Sequence, residues 1–94
     1  MIIILGSIVG TPESFEELLA AGREHTQRSR SEPGCLSHEL SVDVENPQRL
    51  VFVERWADQA AIDAHFRVPE ARQYAARARE LAAEPPELHI HPVA

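Results

Sequence analysis

Three side chains capable of acid–base and ring-stacking chemistry fall close together in this sequence: Glu54, Trp56 and His65. An unperturbed imidazole titrates near neutrality, so His65 is the first candidate for a general base or a substrate hydrogen-bond partner. The other reading of His65 is structural, a helix-edge imidazole bonded to Glu54 or to a backbone carbonyl. Glu54 follows an apolar run, and a partly buried carboxylate needs a partner or its pKa rises. It can orient His65, as a carboxylate orients the base of a hydrolytic triad, or pair with an arginine as structural cement. Trp56 offers a planar ligand a large flat face and one N–H donor, against the commoner role of packing at a strand end. With Phe52 on the same alternation, these groups suit a small apolar pocket that binds and deprotonates an aromatic molecule.

Other residues are weaker candidates. His38 alternates with apolar neighbours, where a satisfied core histidine is the usual account. Tyr74 can bring a phenolic hydroxyl to a pocket, yet its spacing with Ala78 and Leu81 is also that of an ordinary buried helix face. His89 and His91 form an H-x-H pair, but two ligands are too few for a closed site and no Cys or third His lies nearby in sequence. They read as a solvent-facing pair, and no metal site is expected. Cys35 reads as a small buried hydrophobe. No phosphate-cradling glycine loop, nucleophile elbow or dinucleotide fingerprint is present.

The elements that must position these groups follow from hydrophobic period. Residues 2–10 are apolar on both parities, which predicts a strand covered on both faces. Thr11-Pro12 predicts a helix start, with Thr as N-cap and Pro at the first helical position. Phe15, Leu18, Leu19, Gly22 and Thr26 form its inward stripe, and Pro33-Gly34 ends it. From Cys35 to Val44 the period changes to two. Glu45 to Gln48 predict a turn, and Arg49 to Trp56 alternate again. Asp58 can cap a second helix carrying Ala61, Ile62, His65 and Phe66. Pro69 starts a third helical segment, which Pro85-Pro86 break. Leu88 to Val93 predict a last strand at or near an edge, because Pro92 cannot donate to a ladder. The order is β-α-β-β-α-β with the second helix in two pieces: a ferredoxin-like α+β fold, an antiparallel sheet with helices on one face.

A four-residue loop at Glu45–Gln48 would pair Val44 with Arg49, Val42 with Val51 and Leu40 with Val53. Leu36, Leu40, Val42, Val51 and Val53 would then face the helices. Ser37, Glu39 and Ser41 would share the opposite face with Leu50, Phe52, Glu54 and Trp56. That mixed face suits a second copy of the sheet, with a polar-lined cavity between the two.

The 94 residues make a single domain over 1–94. A chain this short buries roughly two-thirds of its unfolded surface, so association would help it. Net charge is −6 and the nine basic residues, all Arg, are spread along the chain. Without a basic stripe, neither nucleic acid nor an anionic membrane is an expected partner. One cysteine allows no intramolecular disulfide, and the apolar N-terminus is too brief for a signal peptide or a span, so a cytoplasmic location is expected.

The motif order resembles the antibiotic biosynthesis monooxygenase family of the dimeric α+β barrel superfamily. The resemblance rests on Glu32-Pro33-Gly34-Cys35-Leu36 opening the second strand, Asn46-Pro47 in the hairpin and Glu54-Arg55-Trp56 closing the third strand. It also rests on Ala64-His65 in the next helix, with Pro69 four residues on. It covers nearly the whole chain and implies a homodimer whose sheets close into a barrel, with one pocket per subunit between sheet and helices. It also implies a range of chemistries: oxidation of polycyclic phenols or quinols by O2 without metal or flavin, haem degradation, isomerisation of small metabolites, or no known activity. The chain departs from the family pattern at His38, where a Tyr is frequent, and at Glu70, where a His is frequent. The haem-degrading branch fits least: its first-strand Asn is matched by Ser7, its catalytic Trp by His65 and its iron-binding His by Ala75. Ser7 joins the candidate substrate-binding residues through this correspondence.

The expected function is therefore a cofactor-independent monooxygenase that oxidises a small phenolic or quinol-type aromatic with O2 as a homodimer. His65 and Glu54 would be catalytic, and Trp56, Phe52, Tyr74, His38 and Ser7 would bind substrate. The alternatives are a non-catalytic dimeric domain holding a small apolar molecule, and an isomerase using the same pocket.

Overall fold

The computed structural model describes residues 1–93. The elements run β1 (Ile2–Val9), α1 (Phe15–Ser29), β2 (Cys35–Asp43), β3 (Asn46–Trp56), α2 (Gln59–Arg67), α3 (Pro69–Leu81) and β4 (Glu87–Pro92). The four strands form one antiparallel sheet in the order β2-β3-β1-β4, with the three helices over one face. This is the ferredoxin-like arrangement that the element order predicts. β4 is an edge strand; its last residue, Pro92, lies opposite Ile2, and the Val93 amide beyond it donates to the Met1 carbonyl at 2.9 Å.

Two local expectations are corrected. The first helix starts at Phe15 rather than Pro12, because Thr11 and Ser14 close a turn on each other: the Ser14 amide donates to Thr11 Oγ1 at 3.0 Å and the Thr11 amide donates to Ser14 Oγ at 2.9 Å. Ser14 Oγ in turn donates to the Leu81 carbonyl at 2.7 Å, so the side chain pins the entry of α1 to the end of α3 instead of capping its own helix. Asp58, by contrast, caps α2 as expected, accepting from the Ala61 amide at 2.9 Å.

The second correction concerns the hairpin. Leu40 pairs with Phe52, Val42 with Leu50 and His38 with Glu54, one residue away from the expected register. β3 begins at Asn46, inside the predicted turn, and the ladder shifts between Val42 and Asp43. Because strand side chains alternate faces, the slip exchanges the faces of one strand relative to the other. Leu50, Phe52, Glu54 and Trp56 point toward the helices and are buried, together with His38. Val51 and Val53 lie on the face away from them. The expected cavity between two sheets, lined by Phe52, Glu54 and Trp56, is therefore replaced by one between sheet and helices.

The core has two centres. Ile8, Leu18, Leu50, Phe52 and Ala78 pack where α1 and α3 cross the sheet. Ile2, Ile4, Trp56 and Ile62 pack beneath α2, with half-buried Cys35 against them. Gly22 lets α1 approach closely, since a Cβ there would lie 3.3 Å from Leu40 Cδ2. Gly34 turns the chain from α1 into β2 at φ +82°, and an added Cβ would sit 2.5 Å from the Ala61 Cβ. No helix among the described residues is long and apolar enough to cross a membrane.

Candidate active site

α1, α2 and α3 and the helix-facing side of the sheet line a cavity of about 400 Å³ that opens to solvent beside Pro86–Leu88. The sheet contributes Gly6, Ile8, Phe52 and Glu54; the helices contribute His25, His65, Phe66, Tyr74 and Ala78. Its wall is mostly apolar, with His25, His65, Glu54 and Tyr74 as the polar groups nearest the core. That is the make-up of a site for a small, mainly hydrophobic molecule.

His65 lies on the buried stripe of α2 with Ile62. Its Nδ1 is 2.9 Å from Glu32 Oε1, and Glu32 Oε2 accepts from Arg28 Nη1 at 2.7 Å. A carboxylate only accepts, so Nδ1 carries a proton, and in the neutral ring the lone pair is on His65 Nε2. This is the geometry of a general base, with its carboxylate on the turn after α1 rather than on the third strand. The turn is itself fixed: the Glu32 amide donates to the Ser29 carbonyl, and the Cys35 amide donates to the Glu32 carbonyl.

Glu54 makes neither of the contacts the sequence suggested, to His65 or to an Arg. Its Oε1 accepts from Trp56 Nε1 at 3.0 Å and lies 3.3 Å from His38 Nε2, an approach too poorly aligned for a full hydrogen bond. Burial pushes the Glu54 carboxyl up, but His38, the Trp56 N–H and His65 together outweigh it and hold the group below the usual carboxylate range. Glu54 is thus a buried anion set in the cavity wall.

Of the remaining expected residues, Phe52 and Tyr74 line the cavity. Burial, then Glu54, pushes the Tyr74 phenol far above its ordinary value, and its hydroxyl is buried without a partner among the described residues. Trp56 is fully buried in the second core centre, its ring 4.7 Å from that of His65, and does not reach the cavity. His38 likewise sits behind Glu54, 1% exposed, with neither ring nitrogen fully bonded. Ser7 borders the cavity, but its hydroxyl accepts from Arg49 Nε at 2.9 Å, on the strand face turned away from the helices. His89 and His91 are exposed on the edge strand.

Sequence reasoning missed two residues of this site, His25 and Glu32. His25 lies three positions after Gly22 and seven after Leu18, on the inward stripe of α1. That spacing is the available signal, although a stripe defined by apolar residues alone leaves a histidine out. Its ring stacks on Tyr74 at 4.2 Å and 9° and lies 5.4 Å from the His65 ring. Burial, followed by His38, His65 and Arg28, lowers its pKa to about 3 against a weaker opposing pull from Glu54. His25 is therefore neutral at physiological pH.

Among the described residues, His25, His38 and His65 bring ring nitrogens within 4.8 Å of one another, the one such cluster with metal-ligand character. The groups behind them divide it. His65 has a carboxylate behind Nδ1, as metal-bound imidazoles do. His25 has the Arg28 guanidinium there instead, with Nη2 3.1 Å from Nδ1. A cation in that position opposes a second one in the cavity.

Comparison with known proteins agrees with this architecture. The family model described as antibiotic biosynthesis monooxygenase matches residues 1–77. "Putative monooxygenase YcnE" of Bacillus subtilis is 31% identical over 85 residues, covering 90% of each chain. The uncharacterized protein sll1783 of Synechocystis is 33% identical over 93 residues, covering 99% of this chain, which spans only 63% of that protein's length. Among solved structures, a "putative antibiotic biosynthesis monooxygenase" from Deinococcus radiodurans superposes at a TM-score of 0.95 with 22% identity, covering 100% of this chain and 93% of its own. Rv0793 of Mycobacterium tuberculosis superposes at 0.93 with 24% identity, covering 99% and 94%.

Proposed function

Because this chain belongs to the antibiotic biosynthesis monooxygenase family, we propose that it is a cofactor-independent monooxygenase of a small phenolic or quinol-type aromatic. The observation that carries the reading is the Glu32–His65 pair set into the wall of an apolar cavity. His65 Nε2 takes the proton of a phenolic hydroxyl. The aryloxide then passes one electron to O2, giving superoxide and an aryloxyl radical whose spin is shared with ring carbons. The two combine in a C–O bond, and the peroxide anion takes a proton back from His65. Where that carbon carried a hydrogen, the hydroperoxide loses water and leaves a carbonyl. One oxygen atom ends in the product and the other in water, and the substrate supplies every electron.

In this scheme the protein contributes the base, the orientation of the ring against Phe52 and Tyr74, and exclusion of bulk water. Glu54 stays ionised in the wall and favours a cationic His65 after proton transfer. The sheet face away from the helices presents Ile3, Leu5, Val51 and Val53, with Leu5 41% exposed. A second copy of the chain covering that face would complete the expected homodimer.

O2 uptake with a hydroquinone or anthrone tests the reading. Wild type should exceed the background oxidation rate, and His65→Ala should lose about 10²-fold or more, the usual contribution of a positioned base. Equal rates for the two proteins would remove His65 from the mechanism. Product formed without O2 would favour an isomerase instead.

A further inference from the structure

The Arg28 side chain is a fork with one prong on each partner: Nη1 donates to Glu32 Oε2 at 2.7 Å, and Nη2 lies 3.1 Å from His25 Nδ1. Glu32 carries the contact onward to His65 Nδ1 at 2.9 Å. One ion pair therefore touches both imidazoles of the cavity, from its opposite ends.

We propose that the Arg28–Glu32 pair locks the two imidazoles into opposite tautomers, so that His65 Nε2 accepts a proton from one substrate oxygen while His25 Nε2–H donates to that same oxygen. A guanidinium has donors and no acceptor, so His25 Nδ1 must present its lone pair to Arg28. The single proton of the neutral ring then sits on Nε2. A carboxylate has acceptors and no donor, so His65 Nδ1 carries a proton, and in the neutral ring Nε2 is the lone-pair nitrogen. The burial that keeps His25 neutral maintains this difference.

Geometry allows both rings to act on a single atom. Both rings line the cavity, with their centroids 5.4 Å apart. An oxygen hydrogen-bonded at about 2.8 Å to each of two nitrogens can span any gap up to about 5.6 Å. Before proton transfer that oxygen gives its hydrogen to His65. Afterwards it is an anion, and the His25 N–H faces the new charge in a water-poor wall, where such a donor counts most. His25 becomes a catalytic residue and Arg28 a positioning residue. The site then selects an acidic hydroxyl on a flat ring, a phenol or an enol; an ether or a bare ketone has no proton for His65. The substrate part of this inference rests on the oxygenase reading above, whereas the tautomers do not.

The test is long-range ¹⁵N–¹H correlation NMR on the full chain with ¹⁵N-labelled histidine at neutral pH. Expected are an Nε2–H ring for His25 and an Nδ1–H ring for His65. Arg28→Met should release His25 into tautomer exchange, and Arg28→Lys, which keeps a donor, should restore the Nε2–H form. A wild-type His25 protonated on Nδ1, or one indifferent to Arg28→Met, overturns the lock. Stoichiometric Zn²⁺ binding with His25 Nε2 as a ligand does the same. Adding a hydroquinone should shift both rings and its dimethyl ether neither; shifts with both compounds overturn the shared-oxygen grip. If the tautomers hold and the hydroquinone shifts both rings without O2 uptake, only the oxygenase reading fails.

Discussion

The indole N–H of Trp56 donates to the Glu54 carboxylate at 3.0 Å, from two residues further along the same strand. Residues i and i+2 share a strand face, so the two side chains meet on the side that β3 turns toward the helices. It makes Trp56 a donor to a buried anion rather than a platform for ligand. A charged group 6% exposed, with few partners, depends on each of them.

Trp56→Phe should therefore act on Glu54 before it acts on packing. The ring still fills the second core centre, while the carboxylate loses a donor and its pKa moves upward. The expected cost is about 1–3 kcal/mol, the range for stripping one partner from a buried polar group. Chemical denaturation measures the loss, and a carboxyl ¹³C titration follows Glu54. An unchanged Glu54 titration would mean that His38 and His65 alone hold it down.

Acid should destabilise the fold through His25. Its folded pKa of about 3 lies below its ordinary 6.5, so below pH 6.5 the unfolded chain binds a proton that the folded chain refuses. The neutral ring's contribution is whole above pH 6.5 and drains away as pH falls toward about 3. The slope approaches about 1.4 kcal/mol per pH unit. The titratable and charged groups facing His25 are His38, His65, Arg28, Glu54 and the stacked Tyr74. The depressed Glu54 adds loss of the same sign below its own ordinary value of 4.5. His25→Gln should flatten the stability profile between pH 6 and pH 4.5, read as urea midpoints; a profile as steep as wild type would assign the loss to another group.

The open sheet face gives a prediction about assembly. Leu5 sits near its centre, on β1 between β3 and β4. If a second copy covers that face, wild type should sediment as a dimer at micromolar concentration and Leu5→Glu as a monomer. A monomeric wild type would exclude the homodimer.

The sequence made the element order, the edge strand and the capping of α2 legible, because period, proline and Asp58 act locally. The hairpin register was not legible. Asn46-Pro47 looks like turn material, yet Asn46 already pairs with Asp43, and one residue's difference decides which face carries Phe52 and Glu54. The place of His65 in the cavity wall was legible because it stands in an amphipathic helix beside a strand end. Its true carboxylate partner lies thirty-three positions away, across a turn whose shape only the assembled fold fixes. His25 was overlooked for a different reason: a buried polar residue on a helix stripe breaks the apolar pattern by which stripes are recognised.

The turn at Gly34 carries a constraint on how this chain can change. Glu32 stands two residues before that left-handed glycine, with the end of α1 on one side and the start of β2 on the other. A single amino acid inserted or deleted between Ser29 and Gly34 would swing the carboxylate out of reach of His65 while leaving helices and sheet intact. Relatives that vary in length elsewhere should keep the count here, and a length change in this short span would mark a chain that has given up the Glu32–His65 contact.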